Sequence, residues 1–349
     1  MKLFYREKTV DNEQKAGGGF HLPLWSFLQQ NVWIFFVVVF SLSVVGFAVS
    51  YFSGLEDDRA LKNQQTALQK DMQMAVEIDE TTTHDNTTAP TISINPVEEV
   101  NETTTHDNTT APTISINPVE EVNPTMLPEY EVLWQQNEDF IGWLKIEDTV
   151  VDYPVMQCAE DENYYLSHDF YGGKNRNGCL ILDNDSNAGI GTIEQEYING
   201  SIPSTNLIIH GHTMKSGQMF GNLKLYQDKE YGLSHNIICF DSLYEKREYE
   251  LIAVFYSQVY YQSEDVFKYY TFFQADTQEE FDDWYNNIKE MSLYDTGVTA
   301  EYGDEFITLS CCAYHVEDGR FVVVGKRKVR TASGGLCTER KNLLGLRKQ

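Results

Sequence analysis

The chain has 349 residues, of which 42% are hydrophobic, and it carries 26 Lys and Arg against 53 Asp and Glu, for a formal net charge of −27. This length allows one large domain or two small domains with extensions. The negative charge repels nucleic acid and anionic lipid, so we exclude a nucleic-acid-binding function. The six cysteines are scattered apart from one adjacent pair, Cys311 and Cys312, which is typical of neither a disulfide framework nor a C-x-x-C zinc site.

An uncharged run near the N-terminus predicts a membrane-spanning helix. Residues 33–52 contain no charge and are rich in Val and Phe, and a helix of that length spans about 30 Å of hydrocarbon. Basic residues precede the run and an acidic cluster follows it at 56–58, so residues 1–31 are expected in the cytoplasm and the rest outside. A cleavable signal peptide ending near residues 48–50 is the alternative. Because the run is long for a signal sequence, we expect a retained single-pass anchor over residues 32–53.

The next segment, residues 54–127, is predicted to be an acidic, disordered stalk. It contains one weakly helical Met/Ala stretch and then a 22-residue unit, ETTTHDNTTAPTISINPVEEVN, that occurs at 80–101 and again at 102–123. Thr, Asn, Pro and Glu dominate this unit, and its apolar area is too small to offset the entropy cost of ordering. Two copies are also too few for a solenoid. The repeats therefore predict an extended spacer.

A mostly β domain is predicted over residues 128–329. After a possible short helix at 127–136, short β-like runs alternate with turn residues, as in a barrel or a sandwich. The predicted strands are 141–146, 179–182, 206–209, 237–240, 249–255, 306–309 and 321–324.

One clear helix interrupts these strands, and it can be capped by Asp276 or Thr277. Its apolar residues recur at the spacing of a single helix face, which predicts packing on the sheet; they are Phe281, Trp284, Tyr285 and Ile288. Residues 330–349 carry five basic residues and one acidic residue, and they predict a loose, basic C-terminal tail.

Two segments carry residues suited to thiol chemistry. Residues 208–212 read Ile-Ile-His-Gly-His, and residues 307–312 read Ile-Thr-Leu-Ser-Cys-Cys, with Arg320 eight residues further on. A nearby imidazolium lowers the pKa of a thiol, and acyl transfer needs a cation or N–H donors where the carbonyl oxygen becomes negative. A Cys, a His and an Arg at the ends of three strands would supply all of these groups.

The same segments resemble the class B sortases. The stretch TLSCC with Arg320 resembles the sortase signature Thr-Leu-x-Thr-Cys, which is followed by an Arg on the next strand. NLIIHGHTMKSGQMFGNL resembles the histidine segment of class B, and NEDFIGWLKIEDTVVDYPVMQ with NYYLSHDFYGGKNRNG resembles its opening strands. The position before the nucleophile, normally Thr, holds Cys311, and the position two before the histidine, normally Tyr, holds His210.

This resemblance implies a fold and a reaction. The fold would be a closed β-barrel of about eight strands, with an N-terminal helix and one longer helix before the cysteine strand. Cys312 would be the nucleophile, His212 the general acid/base and Arg320 the oxyanion-stabilising cation. Substrate would bind along the residues that lead to the nucleophile, which are Thr308, Leu309, Ser310 and Cys311.

The resemblance also implies partners. The substrate would be a secreted protein with a C-terminal sorting motif of the form Asn-Pro-x-Thr-x or Ser/Pro-Pro-x-Thr-Gly, and an amine of a peptidoglycan precursor would receive it. No metal or other cofactor would be needed, and the enzyme would sit on the outer face of the cytoplasmic membrane of a Gram-positive bacterium.

Other functions are compatible with the sequence. Within the family, a pilin lysine could be the acceptor amine. From a different class, the ligand types His210, His212, Cys311, Cys312 and His315 could bind zinc if their segments met in space. The H-x-H and C-C spacings are unusual for structural zinc. A non-catalytic binding module on a stalk is the third alternative, and the complete Cys, His and Arg set argues against it.

Overall fold

Eight short strands form the body of the protein, and they close into a ring. The computed structural model describes residues 32–85, 124–193, 197 and 201–328. The strands are β1 (Phe140–Lys145), β2 (Asp152–Met156), β3 (Leu180–Leu182), β4 (Asn206–Gly211), β5 (Ile237–Ser242), β6 (Glu248–Gln258), β7 (Phe306–Cys312) and β8 (Gly319–Lys328). Their order around the barrel is β1-β2-β3-β4-β7-β8-β6-β5, and β5 pairs with β1 to close it. The predicted closed, mostly β barrel is confirmed.

Three predicted segments fall outside the residues that the structure describes. They are the N-terminal segment 1–31, most of the two repeats from residue 86 to residue 123, and the basic tail at 330–349.

Strand β2 was not among the predicted strands. It pairs antiparallel with β1 and parallel with β3, and Pro154 lies in its middle, opposite Trp143. A proline lacks the N–H that a central strand donates, so the sequence pattern argues against a strand there. Strand β3 pairs only with Val155 and Met156 of β2, so Pro154 pairs with β1 on one side and has no partner in β3 on the other.

The main core fills the barrel, and a second core lies on its outside. Helix α4 (Gln278–Met291) begins with a capping box in which Thr277 and Glu280 satisfy each other's backbone N–H groups. Its Phe281, Trp284 and Ile288 are buried against the outer faces of β6, β7 and β8. The predicted cap and apolar face are confirmed. Each such buried side chain contributes roughly 1.5–3 kcal/mol.

The N-terminal helix is much longer than the predicted anchor. Helix α1 runs from Val32 to Asp85, a length of 54 residues. The predicted stalk begins at residue 54, but residues 54–85 continue the helix, so the prediction of disorder is wrong there. Leu61 and Leu68 are seven residues apart, which places them on one face of the helix, and both are buried. Their burial on the barrel stabilises a helix that its own polar sequence does not specify.

Two further helices are short. Helix α2 (Pro128–Trp134) corresponds to the predicted helix at 127–136, and it packs beside α1. Helix α3 (Lys229–Ser234) was not predicted; the Asp228 side chain caps it by accepting a hydrogen bond from the Tyr231 N–H.

Candidate active site

Three neighbouring strands bring the predicted catalytic residues into one row. Strands β4 and β7 are parallel, and their last aligned pair is Gly211 with Cys311. His212 directly follows Gly211 and Cys312 directly follows Cys311, so both residues lie at the same end of this strand pair. Strands β7 and β8 are antiparallel and align Cys312 with Arg320. The barrel therefore sets His212, Cys312 and Arg320 side by side at the end of β7.

All three residues belong to the outer face of the barrel. Side chains alternate along a strand, and Ile307, Leu309 and Cys311 of β7 point into the main core. Cys312 therefore shares the opposite face with Ser310. The same alternation puts Arg320 on the face of Val322, which belongs to the outer core. His212, Cys312 and Arg320 are each half-buried, as a site that holds reactive groups and admits a substrate requires.

The two adjacent cysteines differ in environment. Cys311 is 3% exposed, and burial, opposed by a hydrogen bond with Thr213, raises the pKa of its thiol to about 12. At neutral pH this thiol is protonated, and a thiol rather than a thiolate is a poor nucleophile. Cys312 is partly exposed, and both residues are free thiols. The geometry favours Cys312 over Cys311 as the nucleophile.

Two hydrogen bonds position His212 and the end of β7. The Nε2 atom of His212 lies 2.7 Å from the carbonyl oxygen of Leu166. The Thr213 hydroxyl donates to the carbonyl oxygen of Cys312 at 2.6 Å, which ties the loop after β4 to the end of β7. When the Nε2–H group donates this hydrogen bond to the Leu166 carbonyl oxygen, Nδ1 is the ring nitrogen that remains available for proton transfer.

Arg320 is placed by the turn between β7 and β8. Its Nη1 donates to the carbonyl oxygens of Asp318 at 3.3 Å and Gly319 at 3.1 Å. Asp318 has a φ of 52°, and a Cβ on Gly319 would collide with the carbonyl oxygen of Ala313. The turn thus requires a glycine directly before Arg320, and the strand register aligns Arg320 with Cys312.

The four predicted substrate-binding residues lie beneath the surface. Leu309 and Cys311 are in the main core, and Thr308 and Ser310 are each 1% exposed. The Thr308 hydroxyl donates to Asn206 Oδ1 at 2.8 Å, and the Ser310 and Tyr269 hydroxyls are hydrogen-bonded at 2.7 Å. In this structure these residues are buried and support β7, and their contact with substrate stays a prediction. The motif identifies the strand, but it does not distinguish supporting residues from contacting ones.

The neighbouring histidine and the zinc alternative can also be placed. His210 is buried, and its Nε2 lies 3.2 Å from Asp183 Oδ2, which is itself 1% exposed. His315 lies in the β7–β8 connection, with its ring against Tyr256. Within residues 32–85, 124–193, 197 and 201–328, no group of three or more His, Cys, Asp and Glu side chains could hold a metal ion. The proposed zinc ligands are not assembled there.

Three residues of the site were not predicted. Leu166, Thr213 and Tyr269 contact His212, Cys312 and Ser310 respectively across 46, 99 and 41 positions of sequence. No local pattern marks such contacts, because each depends on the barrel that joins distant strands.

Known proteins were compared with this chain by sequence. Sortase B of Listeria monocytogenes is 34% identical over 200 residues, which cover 57% of this chain and 73% of the relative. Sortase B of Staphylococcus aureus is 28% identical over 201 residues, which cover 57% of this chain and 74% of the relative. No family model matches the chain.

Solved structures were also compared with this chain. Sortase B from Bacillus anthracis is 30% identical, with a TM-score of 0.47 over 60% of this chain and 88% of that one. A sortase B–substrate complex from S. aureus is 24% identical, with a TM-score of 0.49 over 59% of this chain and 87% of that one.

The sequence relatives define the class of protein first: this chain is a cysteine transpeptidase of the sortase class. Within that class it belongs to the sortase B family, because it covers nearly three quarters of a sortase B at 34% identity.

Proposed function

We propose that the enzyme cleaves secreted proteins after the Thr of a C-terminal sorting motif and joins them to an amine of a peptidoglycan precursor. Cys312 is the nucleophile, His212 the general acid/base, and Arg320 the cation that stabilises the oxyanion. The observation that supports this proposal is that Cys312 is aligned with Arg320 of β8, while His212 directly follows β4, the other neighbour of β7.

The first half of the reaction forms an acyl-enzyme. The Cys312 thiol gives its proton to Nδ1 of His212, and the thiolate attacks the Thr carbonyl carbon. Negative charge develops on the carbonyl oxygen, and the Arg320 guanidinium donates hydrogen bonds to it. The C–N bond then breaks, the leaving amine takes the proton from His212, and a thioester to Cys312 remains.

The second half of the reaction transfers the protein. The acceptor amine attacks the thioester and loses a proton to His212, and the Cys312 sulfur leaves. The product is a new amide between the Thr carbonyl and the acceptor. If water reaches the thioester instead, the same steps give hydrolysis.

The proposed location follows from helix α1. The part of α1 from Trp33 to Asp79 is, by length and composition, able to cross a membrane, and none of its most apolar window is buried in the protein. We place residues 1–31 in the cytoplasm and the barrel outside, with α1 as a single retained anchor. Protease protection in right-side-out vesicles tests this arrangement, since digestion of the barrel from the outside supports it and protection contradicts it.

Replacement of each cysteine tests the proposed nucleophile. Cleavage of an Asn-Pro-x-Thr-x peptide should disappear in Cys312→Ala and persist in Cys311→Ala, which is the matched control one position away. An active Cys312→Ala enzyme would refute the assignment. Arg320→Lys should lower kcat strongly, because Lys cannot reproduce a planar contact with two donors. Peptides that carry a pilin-type lysine, offered beside wall-peptide amines, distinguish the two acceptor classes.

A further inference from the structure

Helix α1 is bound to the barrel directly after the apolar run. Leu61 is 4% exposed and belongs to the main core, together with Tyr153 and Met219. Leu68, which is fully buried, belongs to the core between α2 and the barrel. Burial of each leucine contributes roughly 1.5–3 kcal/mol, so the docked helix is a stable part of the fold.

Polar contacts extend this docking to the end of the apolar run. Asp57 Oδ2 lies 3.2 Å from Arg176 Nε, and a Cβ on Gly54 would collide with the same guanidinium. The Ser216 hydroxyl lies 3.4 Å from Asp58 Oδ1. From Phe52 to Asp57 the helix rises only about 8 Å. Two barrel loops therefore touch α1 within about two turns of the hydrocarbon boundary.

Both of these loops border the proposed active site. Ser216 is four residues after His212, so at most about 14 Å of extended chain separates them. The other loop begins at Leu166, whose carbonyl oxygen is 2.7 Å from His212 Nε2, and continues to Arg176. The active site consequently lies at the end of the barrel that is closest to the anchor.

The repeats lie between two segments that are both fastened to the barrel. Met72, before the repeats, and Met126, after them, pack against the same apolar cluster. Gln136 Nε2 donates to Asp71 Oδ2 at 3.1 Å, which joins the chain on either side of the repeats. Because the barrel is already attached to α1 ahead of the repeats, their length cannot alter its distance from the anchor.

We propose that residues 54–72 of α1 hold the barrel directly against the membrane surface, and that the two 22-residue repeats form an insertion and not a spacer. The active site then works at a fixed, short height over the lipid headgroups. This inference rests on the proposed function only for the anchoring role of α1 and for the position of the active site at His212.

Fluorescence energy transfer can measure the height of the barrel above the membrane, with the full-length protein in phosphatidylcholine–phosphatidylglycerol vesicles. A donor dye is attached through an azidophenylalanine at Tyr314, which is 85% exposed and two residues from Cys312. The acceptor dye is on the lipid headgroups. Three chains are compared: the natural chain, a chain without residues 102–123, and a chain in which that unit is moved to follow Ser53. The moved chain has the length and composition of the natural one.

We expect the deletion to leave the transfer efficiency unchanged and the moved unit to lower it. A flexible 22-residue linker has a mean span of about 25 Å, so the mean height should rise by about that amount. An increase in efficiency after the deletion would show that the repeats are a spacer, and an unchanged efficiency in the moved chain would show that α1 does not set the height. Either result overturns the inference. The Cys312→Ala variant separates this test from the proposed chemistry, since loss of catalysis should not change the transfer efficiency.

Discussion

The buried hydrogen bond between Ser310 and Tyr269 offers a quantitative test of how β7 is supported. Ser310 is two residues before Cys312 on the same face, and its hydroxyl lies 2.7 Å from that of Tyr269. Both side chains are almost fully buried. Ser310→Ala leaves the Tyr269 hydroxyl buried without this partner, which should lower the free energy of unfolding by about 1–3 kcal/mol. Urea unfolding of the full-length protein in detergent measures this loss.

A double-mutant cycle isolates the bond itself. Tyr269→Phe removes the other hydroxyl, and the double variant leaves neither hydroxyl without its partner. The double variant should therefore lose about 1 kcal/mol less unfolding free energy than the two single variants lose together. Thr271→Ala is the matched control, because it removes an exposed hydroxyl from the same short turn as Tyr269. Additive single variants would refute the structural role. A raised KM for Ser310→Ala with unchanged stability would show that Ser310 contacts substrate after all.

Three further outcomes follow from other parts of the fold. Thr277→Ala removes the capping box of α4 and should cost about 1 kcal/mol of unfolding free energy in a urea titration. Glu305→Ala removes one of the two carboxylates that pair with the buried Arg327 and leaves Glu245 as the other, so it should cost about 1.5–3 kcal/mol. Glu248→Ala breaks a more exposed pair with Lys328 and should cost less than about 1 kcal/mol. Burial raises the pKa of the Cys311 thiol to about 12, so only about one Cys311 side chain in ten thousand is a thiolate at pH 8. Iodoacetamide should therefore modify Cys311 in urea but not in the native protein. Modification of the native protein at pH 8 would contradict the burial of Cys311.

The barrel and the placement of His212, Cys312 and Arg320 near one another were largely predictable because their signals are local. Short apolar runs separated by turns indicate strands, and seven of the eight strands carry that pattern. Strand β2 does not, since Pro154 contradicts a central strand and only pairing with β1 and β3 stabilises it. The motifs around His212 and Cys312 stand at strand ends, where the register of a barrel brings them together.

The rest of the architecture depends on contacts between distant segments. Leu61, Leu68 and Met72 recur at helical spacing, but polar residues surround them, so the sequence indicates only a weak helix over residues 54–85 and does not indicate that this helix docks on the barrel. Strand alternation predicts that one of the two adjacent cysteines points into the core and the other points outward. Only the position of Ile307 and Leu309 in the main core shows that the inward one is Cys311. The carbonyl oxygen of Leu166 is a backbone group, and no sequence pattern could assign it to His212.

The central claim is that Cys312 forms the covalent intermediate, and mass spectrometry of the trapped acyl-enzyme tests it most directly. The full-length protein is incubated with an Asn-Pro-x-Thr-x peptide, quenched in acid and digested so that the modified residue can be sequenced. The account predicts a thioester adduct on Cys312 that persists in Cys311→Ala and is missing from Cys312→Ala. An adduct on Cys311, or an adduct that survives in Cys312→Ala, would contradict it.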